Sequence, residues 1–270
     1  MTLVTGLVAV AAGLLIGLSL GALGSGGSIL AVPVLVHLLG QSPIAATTGS
    51  LVVVGATALV AAVATRPSGT VRVGRGLAFG AAATGGAVVG SRLALRTPGD
   101  VLLLAFSALL LVVALAMLVR SHRRRGLPAE QRPADVPIIT LRPFTCACPR
   151  ALKVLVAATV TGLLTGFLGV GGGFLVVPAL VLSLGLEVAE AAGTSLVVIV
   201  ATSAVALLAR LPGDAPVPDW GIVLVLTAAA VVGALAGVRT ARRTDPRRLS
   251  QAFIALLLGV AVASATAVLA

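Results

Sequence analysis

Two short glycine-rich stretches hold the residues best placed to do chemistry. The first is Gly24-Ser25-Gly26-Gly27-Ser28-Ile29-Leu30-Ala31-Val32-Pro33, the second Gly169-Val170-Gly171-Gly172-Gly173-Phe174-Leu175-Val176-Val177-Pro178. Each follows an apolar segment and opens another, shorter one. Glycine permits a sharp turn and lets other groups approach the backbone closely. A helix starting directly after such a turn aims free N–H groups, and the positive end of its dipole, at whatever sits there. The two stretches are therefore read as one site for a small anion, held by backbone N–H groups at Gly26–Ser28 and Gly171–Gly173. Two hydroxyl clusters follow them, Thr47-Thr48-Gly49-Ser50 and Ala192-Gly193-Thr194-Ser195. Hydroxyls of Thr48, Ser50, Thr194 and Ser195 can donate to an oxyanion without adding fixed charge. The same hydroxyls can instead cap a helix or bond back to its carbonyls.

Other chemistry is sparse. His37, Glu187 and Glu190 are candidates for carrying a coupled proton, although all three stand near segment ends, where water reaches. A His37 dyad with Ser25 or Ser28 would make an intramembrane hydrolase, but nothing in the spacing brings these residues together. Cys146 and Cys148 lack the second pair that a zinc site needs and read as reduced thiols. With no HExxH helix and no Walker-type loop, the expectation is a non-enzyme with no metal and no cofactor.

The elements that position these residues are membrane helices. Of the 270 residues 59% are hydrophobic and 10% charged, against about 45–50% and 25% in soluble domains. Ten apolar segments are expected, at roughly 3–23, 28–39, 44–65, 76–95, 101–119, 152–168, 174–184, 189–209, 220–238 and 249–269. The fold expected is an all-α polytopic membrane protein. Its organisation is a first membrane repeat over 1–119, a basic cytoplasmic loop over 120–150 and a second repeat over 151–270. The repeat is visible at one constant spacing: Gly24 pairs with Gly169, Pro33 with Pro178, Gly40 with Gly185 and Ser50 with Ser195. Gly17 and Gly21 likewise match Gly162 and Gly166. Gly86–Arg92 matches Gly233–Arg239 after a small shift.

With ten crossings and the termini outside, all of the 19 Lys and Arg except Arg92, Arg96 and Arg210 fall on the cytoplasmic side, a positive-inside pattern. Fusing the second and third segments of each half gives eight crossings but strands Arg239 to Arg248 outside. Five crossings per half make the second repeat inverted, with short broken helices after the glycine turns. Net charge of +11 belongs to this cytoplasmic face, not to nucleic-acid binding. Arg92 and Arg239 occupy matching positions where the chain meets the interface. The rows Gly13-Gly17-Gly21, Gly162-Gly166, Gly86-Gly90 and Gly233-Gly237 serve close helix packing in lipid.

The pattern Gly-x-Gly-Gly-(Gly/Ser)-x-x-x-x-Pro followed by a Gly/Thr-Ser-Leu step, twice in a small polytopic chain, resembles the TauE/SafE sulfite exporter family. Gly169–Pro178 with Gly193-Thr194-Ser195-Leu196 carries the likeness best. The first copy departs from it through Ser25, Ser28 and the order Thr48-Gly49. The resemblance implies a secondary transporter in the cytoplasmic membrane that moves small sulfur-containing anions such as sulfite, thiosulfate, a sulfonate or sulfoacetate. The partners expected are that anion and the lipid bilayer; a homo-oligomer stays open. A passive anion channel, and less readily an intramembrane enzyme, are the alternatives.

Overall fold

The computed structural model describes residues 3–24, 27–124, 148–169, 173–210, 216–241 and 259. Within them every extended element is a helix: α1 Leu3–Leu23, α2 Gly27–Pro33, α3 Pro43–Thr65, α4 Val73–Ala94, α5 Gly99–Arg124, α6 Cys148–Leu168, α7 Gly173–Ser183, α8 Val188–Leu208 and α9 Trp220–Ala241. The apolar segment expected at 249–269 lies almost wholly outside the described residues. Helices α5 and α6 extend into the basic connection from either side, to Arg124 and from Cys148.

Among the described residues five helical stretches are long and apolar enough to cross a membrane: Val4–Leu23, Pro43–Thr65, Val73–Ala94, Ala189–Leu208 and Trp220–Ala241. The 23 residues of α3 rise about 34 Å, matching a hydrocarbon core of about 30 Å. Outward-facing Leu7, Leu15, Val63, Leu111, Leu155 and Leu224 give the bundle an apolar exterior suited to lipid. The chain is an all-α polytopic membrane protein. The short segments behave as expected. Helix α2 runs on through a π-helical stretch, Val34–Leu38, after Pro33, and α7 is an 11-residue helix containing Pro178. At 1.5 Å per residue α7 rises only about 16 Å, roughly half the core.

Local signals explain where the helices begin. Ser42 caps α3, its Oγ accepting from Ala45 N at 3.4 Å, with Pro43 at the first helical position, where its missing N–H costs nothing. Asp219 Oδ1 accepts from the N–H groups of Gly221 (2.9 Å) and Ile222 (3.3 Å) at the start of α9.

Glycine seams fix the packing. A Cβ at Gly13, Gly17 or Gly21 of α1 would overlap the α9 backbone at Leu226, Ala230 or Ala234, and one at Gly233 or Gly237 would overlap Leu14 or Leu18. The same relation joins α4 to α6: Gly86 and Gly90 lie on Thr159 and Leu163, and Gly162 and Gly166 lie on Ala83 and Ala87. Backbones in such contact gain dispersion that no side chain could supply. Both seams run parallel. Helices α3 and α8 pair the other way: Thr47 at the start of α3 meets Arg210 just past the end of α8, and Gly55 lies against Ser203. That pairing is antiparallel.

Candidate functional site

Each glycine turn closes one long helix. Gly24 N–H donates to Leu20 O (2.8 Å) and Gly169 N–H to Thr165 O (3.0 Å), and both residues sit at positive φ, 74° and 67°. That conformation favours glycine, and here space demands it as well. A Cβ at Gly24 would collide with Ala192 in the first turns of α8, and one at Gly169 with Thr47 in the first turns of α3. The carbonyls are engaged reciprocally: Ser195 Oγ donates to Gly24 O at 3.2 Å, and Ser50 Oγ donates to Gly169 O. Each turn is thus seated on a hydroxyl-bearing helix start from the other half of the chain.

This produces two clusters. The first joins Gly169 to Thr47 and Ser50, with Thr48 next in the chain; the second joins Gly24 to Ala192 and Ser195, with Thr194 between them in the chain. Gly49 and Gly193 are packing positions, against Val223 and Pro218 in one case and Thr70 and Val71 in the other. Gly27 presses on the α1 backbone at Ile16, and Ser28 beside it is buried. Gly173 opens α7. Ser25, Gly26, Gly171 and Gly172 lie outside the described residues.

The hydroxyl hydrogens are spent on carbonyls. Thr47 and Thr48 donate to Ile44 O (2.8 and 3.1 Å), Ser50 also lies 2.9 Å from Thr47 O, and Ser195 lies 2.8 Å from Ala192 O. Such back-bonding satisfies a hydroxyl inside an apolar helix. In this conformation these oxygens offer lone pairs rather than protons.

An arginine takes up those lone pairs. Positive-inside reasoning left Arg210 on the outer side. The structure buries it instead, at 3% exposure. Its Nη1 donates to Thr47 Oγ1 (2.8 Å) and Thr48 Oγ1 (2.9 Å), and its Nη2 donates to the Gly166 carbonyl (2.8 Å). Nε has no partner among the described residues. Among the described residues no carboxylate pairs with this guanidinium. Asp214 lies outside them.

The second cluster also has an arginine, held differently. Arg72 N–H donates to Thr194 Oγ1 at 3.2 Å, while its guanidinium binds Glu190 Oε1 through Nε (3.3 Å) and Nη2 (2.9 Å). The pair is partly exposed, 47% and 24%. Glu190 is therefore an ion-pair partner here, while His37 and Glu187 are exposed. These three proton-coupling candidates are not brought together as a group. Among the described residues no set of three His, Cys, Asp or Glu side chains is placed to hold a metal.

Not foreseen from the sequence are the bond between Arg210 and Thr47 and the buried hydroxyls of Thr57 on α3 and of Thr202 and Ser203 on α8, Ser203 lying against Gly55. Thr57 and Thr202 share the repeat spacing, the one signal by which they were open to detection.

The sulfite exporter TauE/SafE family model matches residues 9–264. The chain belongs to the TauE/SafE family. Two relatives from Xylella fastidiosa, strains 9a5c and Temecula1, each bear the description "Probable membrane transporter protein". Each is 31% identical over 265 residues, covering 97% of this chain and 95% of the relative. No solved structure matches. The TauE/SafE match takes in both glycine turns, both hydroxyl clusters and Arg210.

Proposed function

We propose that this TauE/SafE protein is a secondary transporter that carries small sulfur-containing anions (sulfite, thiosulfate, a sulfonate or sulfoacetate) across the cytoplasmic membrane by alternating access. The observation that carries the reading is the reciprocal seating of each glycine turn on a helix start from the other half. It brings two turn-and-helix units against the α3–α8 pair, as in carriers whose broken helices meet at a shared site. The antiparallel run of α3 and α8 supports an inverted repeat, because a direct repeat would pair these equivalent helices in parallel. On this reading backbone N–H groups of Gly26–Ser28 and Gly171–Gly173 hold the anion at the turns, with Thr48 and Ser50 lining its path on the outer side and Thr194 and Ser195 on the cytoplasmic side. Binding at helix starts rather than to a metal suits a ligand that must also leave. By positive-inside reasoning the termini lie outside, the Arg210 cluster toward the outer face and the Arg72 cluster toward the cytoplasm.

The test is uptake of labelled sulfite, thiosulfate and sulfoacetate into proteoliposomes. Saturable uptake stimulated by the same anion on the opposite side is the expected result. Saturation without counterflow would favour a channel, and recovery of a chemically changed label would favour an enzyme. No uptake of any of the three, with or without a proton gradient, would remove the sulfur-anion assignment.

A further inference from the structure

We propose that Arg210 is the charge-recognising ligand of the transported anion, presenting its Nε edge to an oxyanion beside the Gly169 turn; this rests on the anion-transport reading above. Three observations carry it. The guanidinium is buried at 3% exposure with no carboxylate beside it among the described residues, and a buried cation without a counter-charge is costly unless something of opposite sign completes it. Among the described residues its Nε–H finds no partner, while Nη1 and Nη2 are fixed by Thr47, Thr48 and Gly166. Those three bonds hold the planar fork in one orientation, and arginine's fork matches the oxygens of an oxyanion. Finally, the hydroxyls around it have given their hydrogens to carbonyls, so the guanidinium supplies the donor that they do not.

The two pseudo-equivalent clusters therefore differ in charge. Glu190 neutralises Arg72, whereas Arg210 has no carboxylate partner among the described residues. Orientation of Arg210 by Thr47 and Thr48 makes those two threonines positioning residues, acting through the arginine.

The competing account is that Arg210 only clasps the end of α8 to α3 and α6. Arg210→Gln and Arg210→Lys in the full chain separate the two. Thermal unfolding in detergent with phosphatidylcholine is followed against sulfite, thiosulfate and sulfoacetate at constant ionic strength, and proteoliposome uptake gives KM beside Vmax. Wild type should be stabilised by an oxyanion. R210Q should lose that response and R210K should weaken it, with KM raised about 10- to 100-fold. R210Q responding as wild type does would make Arg210 a clasp and overturn the proposal. If R210Q does not fold, R210K decides, and unchanged apparent affinity overturns it. Wild type that transports while R210Q matches it leaves transport standing and removes only this assignment. Wild type that binds through Arg210 but does not translocate removes transport and keeps the site. Wild type unmoved by all three anions overturns both. Stabilisation only by vesicles containing phosphatidylglycerol, abolished in R210Q, would assign the site to a lipid phosphate and overturn the substrate role.

Discussion

Replacing Gly24 by alanine should cost far more than replacing Gly40, although both residues have nearly the same backbone conformation, φ 74° and 65°. An L-residue in the left-handed region costs about 1–2 kcal/mol, and that term is common to both. At Gly40 nothing lies within 4 Å of a new Cβ, whereas at Gly24 it would sit 2.6 Å from Ala192 Cα and Cβ. Carbon atoms pack at about 3.5–4.0 Å, so the turn and α8 must part by about 1 Å. Overpacking of that kind costs about 1–3 kcal/mol. The expected losses are then about 2–5 kcal/mol for Gly24→Ala and about 1–2 kcal/mol for Gly40→Ala. The second repeat supplies a replicate. Gly169→Ala meets Thr47 Cα at 2.7 Å, and Gly185→Ala meets nothing within 4 Å. Titration with SDS in mixed micelles, read through Trp220, the single tryptophan, measures all four. Equal losses within each pair would refute the seating of the turns on the opposite helices.

Ser50→Ala and Ser195→Ala should each destabilise by about 1–2 kcal/mol in the same titration, because each strips a donor from a buried turn carbonyl. Glu190→Gln should cost no more than about 0.5–1 kcal/mol, since its pair with Arg72 is partly exposed, and the loss should shrink in high salt; a larger loss would mean that the pair clasps the halves together. If Glu190 is the proton-coupling group, E190Q uptake should no longer respond to a pH gradient, and an undiminished response excludes it. With Cys146 and Cys148 replaced, Val217→Cys should react with an impermeant thiol reagent from outside, and Gly69→Cys only from the cytoplasm. Labelling of both from one side would sink the inverted arrangement.

The turn glycines were legible because glycine at a contact is demanded by backbone geometry, and the two stretches stand at a fixed spacing in the chain. The small-residue rows were legible for the same reason, and each row meets a specific helix backbone. Arg210 was not legible. An arginine at the end of an apolar run is usually one that snorkels to the interface, and its burial depends on Thr47 and Thr48, which lie in the other half. Thr57, Thr202 and Ser203 escaped notice because a lone hydroxyl in an apolar helix normally satisfies itself on the preceding turn. The π-helical stretch after Pro33 was likewise hidden. Proline removes one donor, but how the next turn rearranges depends on packing around it.

The glycine seams also decide which parts can move as blocks. Helix α1 is locked backbone-to-backbone onto α9, and α6 onto α4, so each seam unites one helix from either half of the chain. Sliding a seam would drive carbonyls into one another, whereas the α3–α8 contact is made through side chains. A rocking carrier built on this scaffold does not hinge between its two sequence halves. Its closely packed groups are α1–α3 with α9 and α6–α8 with α4, each holding a helix from the other half of the chain. Through α9 and α4 the two halves of the chain are not separate packing units.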